Sequence, residues 1–249
     1  RGEAIASGEL HIDVAFLGAS SSDPLGNACG YSRSENAKSI CGSLGYALPD
    51  AHYADKVVIL TDDLVPYPNT PNSISEHDVD YVVEVESVGD SSKIASGAIR
   101  DTKNPRDILL AQQAAKVIVN SGYFKNGFSI QTGSGGASLA AVKYIRQSMI
   151  DQDIKASFAL GGITAHMVKM HEEGLIERLI DVQSFDKVAA ESLKNDAMHK
   201  EVAAYEYAAA NEQGSATHWL DIVILSALEV DVNFNVNVLV GSDGIIRGA

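Results

Sequence analysis

Cysteine, tryptophan and basic residues are scarce in this chain of 249 residues. It has two cysteines, one tryptophan, and 19 lysines and arginines against 33 aspartates and glutamates, which gives a formal charge of -14. Two cysteines exclude a disulfide-rich scaffold, and without a CxxC motif Cys29 and Cys41 are predicted to be free thiols. The acidic balance argues against nucleic acid or an anionic membrane as a partner, because both require clustered basic residues.

Long apolar runs are missing as well. The longest, such as LDIVILSALEV, have the length of a strand and fall short of the roughly 20 residues of a membrane span. The first residues lack the apolar region of a signal peptide. We therefore expect a cytoplasmic protein without a membrane segment. The histidines and cysteines form no zinc-like set, so no metal site is expected.

Short runs of Val, Ile and Leu alternate with helical patterns along the chain. Strands are predicted at 11–18, 56–62, 81–87, 127–132, 157–162, 179–185 and 220–230. Helices are predicted at 105–121 (with Asn104 as its N-cap), 137–153, 165–174 (ending at Gly174) and 187–213. This alternation predicts an α/β fold with mostly parallel sheets and flanking helices. Residues 88–104 are interpreted as a connection between two halves.

The stretch FSIQTGSGGASLAAV places a bare glycine turn between a strand and a helix. The turn contains Gly133, Ser134, Gly135 and Gly136, and its N–H groups lie at the partly positive N-terminus of the helix. Such a turn can bind a phosphate, a carboxylate or a developing oxyanion. It matches neither the P-loop nor the GxGxxG pattern, so ATP and a nicotinamide cofactor are disfavoured. A tight turn that binds nothing remains open.

A second stretch, SFALGGITAHMV, repeats this order. Gly161 and Gly162 follow a strand, Thr164 is a potential N-cap, and a helix begins after it. Two such turns on successive parallel strands would face each other across one crevice at the strands' carboxyl ends. His166, in the first helical turn, is a weaker candidate for an acid or base, since a single histidine is more often a surface residue.

Two further groups of residues are candidates for ligand binding. The segment AIRDTKNPR carries Arg100, Lys103 and Arg106, which could contact an anion, although solvated surface charge is the commoner outcome. The stretch ILSALEVDVNFNVN alternates strictly, which predicts a strand with one apolar and one polar face. The polar face would hold Glu229, Asp231, Asn233, Asn235 and Asn237. It is either a solvated edge or a hydrogen-bonding surface, and Glu229 is a candidate for function or for holding loops in place.

Several stretches resemble, in order, those of the α subunits of bacterial citrate lyase. They include HIDVAFLGASSSDPLGN, YADKVVILTDDLVPYPNTP, FSIQTGSGGASLA and SALEVDVNFNVN, and the resemblance extends along essentially the whole chain. More distantly, the sequence is similar to acetate and 4-hydroxybutyrate CoA-transferases. The resemblance implies a NagB/RpiA/CoA-transferase-like fold of two α/β halves with the active site between them. It also implies that this chain is a fragment of a longer subunit, with residues 1–90 from the N-terminal half and 91–249 from the C-terminal half.

The implied reaction is a CoA-transferase exchange, in which an acetyl thioester and citrate give a citryl thioester and acetate. The implied partners are the β subunit and the acyl-carrier γ subunit of the lyase, in a homo-oligomeric assembly. The thiol would belong to a CoA-like prosthetic group, phosphoribosyl-dephospho-CoA, on the acyl carrier, or to a free CoA thioester. No cofactor is expected on this chain itself.

One departure from related CoA-transferases bears on the mechanism. Enzymes that form a glutamyl thioester place their nucleophilic Glu where LGGITAHMV has Ala165, so we expect direct transfer without an acyl-enzyme. The expected catalytic residues are Gly135, Gly136 and Glu229. The expected substrate-binding residues are Gly133, Ser134, Gly161, Gly162, Thr164, Asn235, Asn237, Arg100 and Arg106. The alternatives are an effector- or sugar-phosphate-binding module on the same fold, or a structural piece of the complex.

Overall fold

Two parallel sheets organise the protein. The computed structural model describes residues 2–94, 102–133, 135–209 and 214–246. Within these ranges the helices are Gly2–Ala6 (α1), Leu48–Tyr53 (α2), Pro105–Val119 (α3), Gly136–Gln152 (α4), Ala165–Glu172 (α5), Lys187–Asn195 (α6) and Ala204–Ala208 (α7). Single turns of 3₁₀ helix lie at Glu76–Asp78, Ser91–Lys93 and Ala216–Trp219.

The first sheet is built from the beginning of the chain. Its strands Val14–Ala19 (β1), Lys56–Thr61 (β4) and Tyr81–Glu84 (β5) pair in parallel in the order β1-β4-β5. Between β1 and β4, Ser21–Ser22 (β2) and Ala28–Cys29 (β3) form a small antiparallel ribbon. Alternate strand residues such as Ala15, Val57 and Ile59 point into the core of this half.

The second sheet is larger and also parallel. Its strands are Phe128–Thr132 (β6), Ala156–Ile163 (β7), Leu179–Ser184 (β8), His199–Glu201 (β9) and Ile222–Ile224 (β10), in the order β10-β6-β7-β8-β9. Helices α4 and α5 cover one face, where Phe128, Ile145 and Ile163 belong to the main core. Together the two sheets and their flanking helices confirm the predicted α/β fold class.

The helix boundaries follow the signals in the sequence. The Asn104 side chain accepts a hydrogen bond from the Arg106 N–H at 3.0 Å, so it caps α3 as predicted. Helix α5 ends in a Schellman motif, in which Gly174 has a φ of 73°. There the Leu175 N–H donates to the Met170 carbonyl at 2.9 Å, and the Gly174 N–H donates to the His171 carbonyl at 2.8 Å.

The predicted helix over 187–213 is wrong as one continuous helix, because only α6 and the short α7 are helical within it and residues 210–213 lie outside the described residues. Helix α6 ends at Asn195, and the next residues turn back to form β9 at the edge of the second sheet. His199 is fully buried there, with its Nε2 3.2 Å from Asp181 Oδ2. Pairing with β8 and this buried contact override the helix propensity of the segment, because tertiary interactions outweigh local preference.

The predicted strand over 220–230 is also wrong in its extent. It splits into β10, which extends the second sheet beside β6, and Glu229–Val230 (β11), which starts a separate antiparallel hairpin with Val236–Asn237 (β12). Residues 225–228 connect the two and lie beside the loop that follows β6. The expected continuous strand is therefore interrupted where the chain passes that loop.

The segment 43–45 joins the first half to the second. The Ser43 hydroxyl donates to the Asp181 carbonyl at 2.9 Å, and the Ala204 N–H donates to the Gly45 carbonyl at 2.9 Å. The Leu44 N–H donates to the Glu201 carboxylate, whose residue ends β9. The segment 43–45 is thus hydrogen-bonded to β8, to β9 and to the start of α7.

Two other expectations concern the thiols and the domain limits. Cys29 and Cys41 are free, as predicted, with Cys29 buried and Cys41 partly buried. The domain limit at residue 90 stays a prediction. Among the described residues, no helix combines the length and the apolar character that crossing a bilayer would require.

Candidate functional site

The carboxyl ends of β6 and β7 lie side by side at one edge of the second sheet. The strands pair in parallel, with Gln131 beside Leu160, and they end at Thr132 and Ile163. A helix begins shortly after each strand, at Gly136 and at Ala165. This edge is the place where open parallel sheets bind their ligands.

The glycine turn after β6 presents an open helix N-terminus. Gly135 is the N-cap residue of α4, with φ -66° and ψ 150°, and among the described residues no side chain caps this end. Ser134 lies outside the described residues. The Gly133 N–H donates to the Ile224 carbonyl at 2.8 Å, which fixes the start of the turn against β10. The 17 residues of α4 direct their dipole at this turn.

The fold itself does not require glycine at position 135. Its backbone conformation is one that any residue adopts. A Cβ built there would lie 3.4 Å from the Ser226 hydroxyl, which is ordinary van der Waals contact. A Cβ at Gly133 would come no closer than 3.6 Å to the nearest atom, the Ile224 carbonyl oxygen. Their bare surface is therefore available for contact with a ligand.

Gly161 and Gly162 have a different role, because both are buried within β7 instead of in a loop after it. Gly161 has a φ of 105°, which disfavours any residue with a side chain. A Cβ at Gly162 would lie 2.1 Å from the Phe185 ring. The fold requires both glycines, and their role in substrate binding stays a prediction.

Thr164 occupies the N-cap position of α5, as predicted, but its side chain makes no capping bond. The Ala165 N–H is bound instead by the Asp186 carboxylate, at 2.6 Å. The Thr164 hydroxyl is buried without a hydrogen-bond partner among the described residues, and so is the hydroxyl of Thr132 at the end of β6. Sequence reasoning did not single out Thr132, since hydrogen-bond satisfaction cannot be judged from residue type alone.

Helix α3 brings one of the predicted cationic residues to the same end of the molecule. Ala111 packs with Ala140 and Ala141 of α4, and Gln112 donates to the Tyr144 hydroxyl at 3.1 Å. The two helices therefore run parallel. The exposed Arg106 in the first turn of α3 lies at the same end of this pair as the glycine turn. Arg100 lies outside the described residues, so its predicted contact with an anion cannot be placed.

The polar residues after β10 do not line one face of a strand, which corrects the alternation prediction. Glu229 pairs with Asn237 across the β11–β12 hairpin, and Asp231 faces Asn235 at its turn. The turn includes Phe234 with a φ of 62°. Five residues that the alternation places on one side are thus divided between two antiparallel strands and their turn, because the segment folds back on itself.

The Glu229 carboxylate holds the loop that follows the hairpin. It accepts a hydrogen bond from the Ser242 N–H at 2.7 Å and one from the Asn237 amide at 3.0 Å. These bonds from Ser242 and Asn237 lower the pKa of Glu229, so it stays ionised. The sequence analysis offered a functional role or a loop-holding role for Glu229. The observed contacts are those of the second, while a catalytic role stays a prediction.

Sequence reasoning missed a second polar cluster, at the carboxyl edge of the first sheet. Asp62 and Asp63 follow β4 and are buried. Asp62 accepts a hydrogen bond from the Ser39 hydroxyl at 2.9 Å, and Asp63 accepts one from the Ser34 hydroxyl at 2.6 Å. Burial alone would raise the pKa of Asp23, but hydrogen bonds from the Asn69 N–H and the Asn27 amide outweigh it and lower that pKa. The signal in the sequence that could have predicted this cluster is the pair Asp62 and Asp63 directly after an apolar strand. In the structure these aspartates hold the surrounding loops.

One surface group could hold a metal ion by geometry alone. His11, Asp13 and Asp55 each place one ligand atom within 4.8 Å of the others. All three are exposed, and exposed acidic groups of this kind are common without an ion. The expectation that the protein binds no metal stays a prediction.

Comparison with known proteins agrees with this arrangement. The citrate lyase alpha chain of Escherichia coli is 57% identical over 245 residues, which are 98% of this chain and 47% of the relative. That of Haemophilus influenzae is 58% identical over 245 residues, 98% of this chain and 48% of the relative. A solved structure of a citrate lyase alpha subunit from Streptococcus mutans, in complex with citrate, has 58% identity and a TM-score of 0.90. The match covers 99% of this chain and 48% of the Streptococcus mutans chain.

A more distant likeness shows the fold alone. An acyl-CoA transferase from Escherichia coli has 18% identity and a TM-score of 0.52, covering 96% of this chain and 42% of that chain. This chain spans about half the length of the curated relatives it matches. The family model described as the alpha subunit of citrate lyase matches residues 1–249. The chain therefore belongs to the citrate lyase alpha-subunit family.

Proposed function

We propose that this chain carries part of the active site of a citrate CoA-transferase, which exchanges acetyl for citryl on a thiol. The observation that supports it most directly is the uncapped N-terminus of α4, where Gly135 is bare although the fold does not require glycine there. The family assignment and the citrate bound to the Streptococcus mutans relative support citrate as the substrate.

The transfer proceeds by direct attack in a ternary complex. A carboxylate oxygen of citrate attacks the thioester carbonyl and forms a tetrahedral oxyanion. Collapse of this oxyanion expels the thiolate and gives a mixed anhydride of citrate and acetate. The thiolate then attacks the citryl carbonyl of the anhydride, and acetate departs. The N–H groups at Gly135 and Gly136 stabilise the two oxyanions, and one such donor typically lowers the barrier by about 3–4 kcal/mol.

The surroundings of Ala165 support a route without an acyl-enzyme. Ala165 stands where related transferases carry a nucleophilic Glu, and it has no carboxylate of its own. The carboxylate that contacts it, Asp186, binds the Ala165 N–H at 2.6 Å and the Ala189 N–H at 2.8 Å. Because the Asp186 carboxylate caps both α5 and α6, an attack by this carboxylate on the thioester would break both hydrogen bonds.

The proposed partners follow from the family. They are the β subunit, which would cleave the citryl thioester, and the acyl-carrier γ subunit with its phosphoribosyl-dephospho-CoA group, within a cytoplasmic homo-oligomeric complex. In this proposal the prosthetic group belongs to the carrier and enters as substrate. The alternatives are a binding module for an effector or sugar phosphate, and a purely structural piece of the complex.

The test is Gly135→Val in the full-length protein, supplied with acetyl-CoA and labelled citrate. We expect citryl-CoA formation to fall by about 100-fold or more, because the side chain would hold the thioester away from the N–H groups. The melting temperature should stay unchanged. The matched control is Gln152→Val at the opposite, exposed end of α4, which should keep full activity.

Two results would contradict the proposal. If Gly135→Val transferred the acyl group at the wild-type rate, the glycine turn would have no role in transfer. A wild-type protein that binds sugar phosphates but forms no citryl-CoA would favour the binding module, and one that neither transfers nor binds would favour the structural role.

A further inference from the structure

A cavity of about 640 Å³ lies on the face of the second sheet that helices α4 and α5 leave uncovered. Its floor includes Phe158 of β7 and Ile180 of β8, and its walls come from α7 and the 3₁₀ turn Ala216–Trp219. These floor residues lie near the amino ends of their strands, whereas the glycine turn lies at the carboxyl edge. The volume falls within the range of small-molecule sites in proteins. The cavity is therefore separate from the proposed transfer site.

The pleat of the strands determines which side chains face this cavity. Ala159 and Leu179 pair across β7 and β8, and both belong to the core beneath α4 and α5. Phe158 and Arg178 precede them in the sequence, so both side chains point to the opposite face of the sheet. The Arg178 guanidinium lies 5.6 Å from the centre of the Phe158 ring, which confirms that the two side chains meet in the cavity.

The cavity carries two cations that no acid neutralises in the part of the chain that the structure describes. Lys200 pairs with Ile180 across β9 and β8, so it lies on the same face as Arg178 and diagonal to it. Neither cation forms an ion pair with a described aspartate or glutamate. Glu206, the acidic residue of the lining, turns its carboxylate back to the Ala203 N–H at 2.9 Å. In a protein with a formal charge of -14, two such cations in one cavity favour an anionic ligand.

The cavity also offers a flat apolar surface. Trp219, the one tryptophan of the sequence, lines the cavity and is 70% exposed. The 3₁₀ turn that carries it is anchored to the sheet, because the Ser129 hydroxyl donates to the Trp219 carbonyl at 2.8 Å. An indole ring that is fixed in place and left in water can stack on a flat ligand.

We propose that this cavity binds a nucleoside phosphate. The base stacks on Trp219, and the phosphate binds Arg178 and Lys200. A guanidinium presents parallel N–H donors that match phosphate oxygens, and an ammonium adds a compact charge. A ligand with a phosphate alone leaves the indole in water, and a ligand with a ring alone leaves both cations unpaired. Because the cavity is separate from the glycine turn, the proposal does not depend on the proposed transfer.

The test measures the binding of adenosine monophosphate to the full-length protein by calorimetry. Adenosine, which lacks the phosphate, and inorganic phosphate, which lacks the ring, are measured beside it. We expect adenosine monophosphate to bind about tenfold or more tightly than either fragment, because it alone engages both the cations and the indole.

Two variants assign the binding to this cavity. Arg178→Gln removes a cation and Trp219→Leu removes the stacking surface, and each should raise the Kd for adenosine monophosphate about tenfold. The matched control is Lys155→Gln, which removes the same charge from an exposed position just before β7, outside the cavity. It should leave the Kd unchanged. All three variants should keep the melting temperature of the wild type and its rate of citryl-CoA formation without nucleotide.

The outcomes for this proposal and for the proposed function are distinguishable. A wild-type protein that does not bind adenosine monophosphate overturns the proposal, and this is the result if other parts of the longer subunit fill the cavity. Binding that survives both Arg178→Gln and Trp219→Leu also overturns it, since the nucleotide then lies elsewhere. Equal affinity for adenosine monophosphate and inorganic phosphate overturns it as well, because the ring then contributes nothing. Binding with the expected dependence on both residues supports it, even if the protein forms no citryl-CoA and the proposed transfer fails.

Discussion

At the scale of single residues, glycine serves two opposite purposes at the edge of the second sheet. Gly135 has an ordinary backbone conformation and room for a side chain, so the fold does not require glycine there, and contact with a ligand stays the prediction. Gly162 has no such room, because the Phe185 ring occupies the space of its missing Cβ. The sequence made Gly135 a catalytic candidate and Gly162 a substrate-binding candidate from the same strand–glycine–helix order, and only their neighbours show that the fold requires one glycine and not the other.

Gly162→Ala should destabilise the protein strongly. The new methyl group would lie 2.1 Å from the Phe185 ring, so the ring or the strand must shift, and overpacking of this kind costs about 1–3 kcal/mol. The free energy of unfolding in urea measures the loss. Gly135→Ala is the matched control and should stay within about 0.5 kcal/mol of wild type. Equal stability of the two variants would contradict this account of Gly162.

At the scale of elements, the sequence predicted four strands of the two parallel sheets closely. β4, β6, β7 and β8 were found within one or two residues of their predicted limits, because each is a short run with apolar residues at its core positions, set between turns or helical patterns. β9 was missed because its residues read as helix, and only pairing with β8 makes them a strand. The strand–turn–helix order of the candidate site was predicted from the sequence, whereas the unpaired hydroxyl of Thr132 depends on tertiary neighbours.

The cap of α3 gives a prediction at this scale. Asn104→Ala removes the oxygen that accepts the Arg106 N–H, and loss of an N-cap costs about 1 kcal/mol. Asn104→Ser retains a capping oxygen and should lie within a few tenths of a kcal/mol of wild type. Urea unfolding of the three proteins provides the measurement. A neutral Asn104→Ala would mean that packing on α4 alone determines where α3 begins.

At the scale of the whole molecule, a buried carboxylate lies at the junction of the two halves. Burial raises the pKa of Glu201, against hydrogen bonds from the Leu44 N–H and from the Ser73 and Ser43 hydroxyls, which lower it. A carboxyl group with a raised pKa binds its proton more tightly in the folded state. Its contribution to stability is therefore present below its ordinary value of 4.5 and is lost as the pH rises through the folded value.

Glu201→Gln should remove this pH dependence, because glutamine still offers an oxygen to the Leu44 N–H but carries no charge. We expect the wild type to lose stability relative to the variant as the pH rises above 4.5. Urea unfolding of both proteins at a series of pH values checks this. Parallel stability curves would show that the carboxylate is ionised at the junction without penalty.

The passage of Gly45 through this junction has a consequence for motion between the two sheets. A Cβ there would lie 2.3 Å from the Val202 carbonyl oxygen and 2.6 Å from that of Val182, so the main chains of the two halves touch directly. Contacts between main chains leave little freedom for one half to rotate against the other about this point. A ligand at the strand ends would then enter and leave through local movements of the turns there, instead of through a clamshell closure between the two sheets.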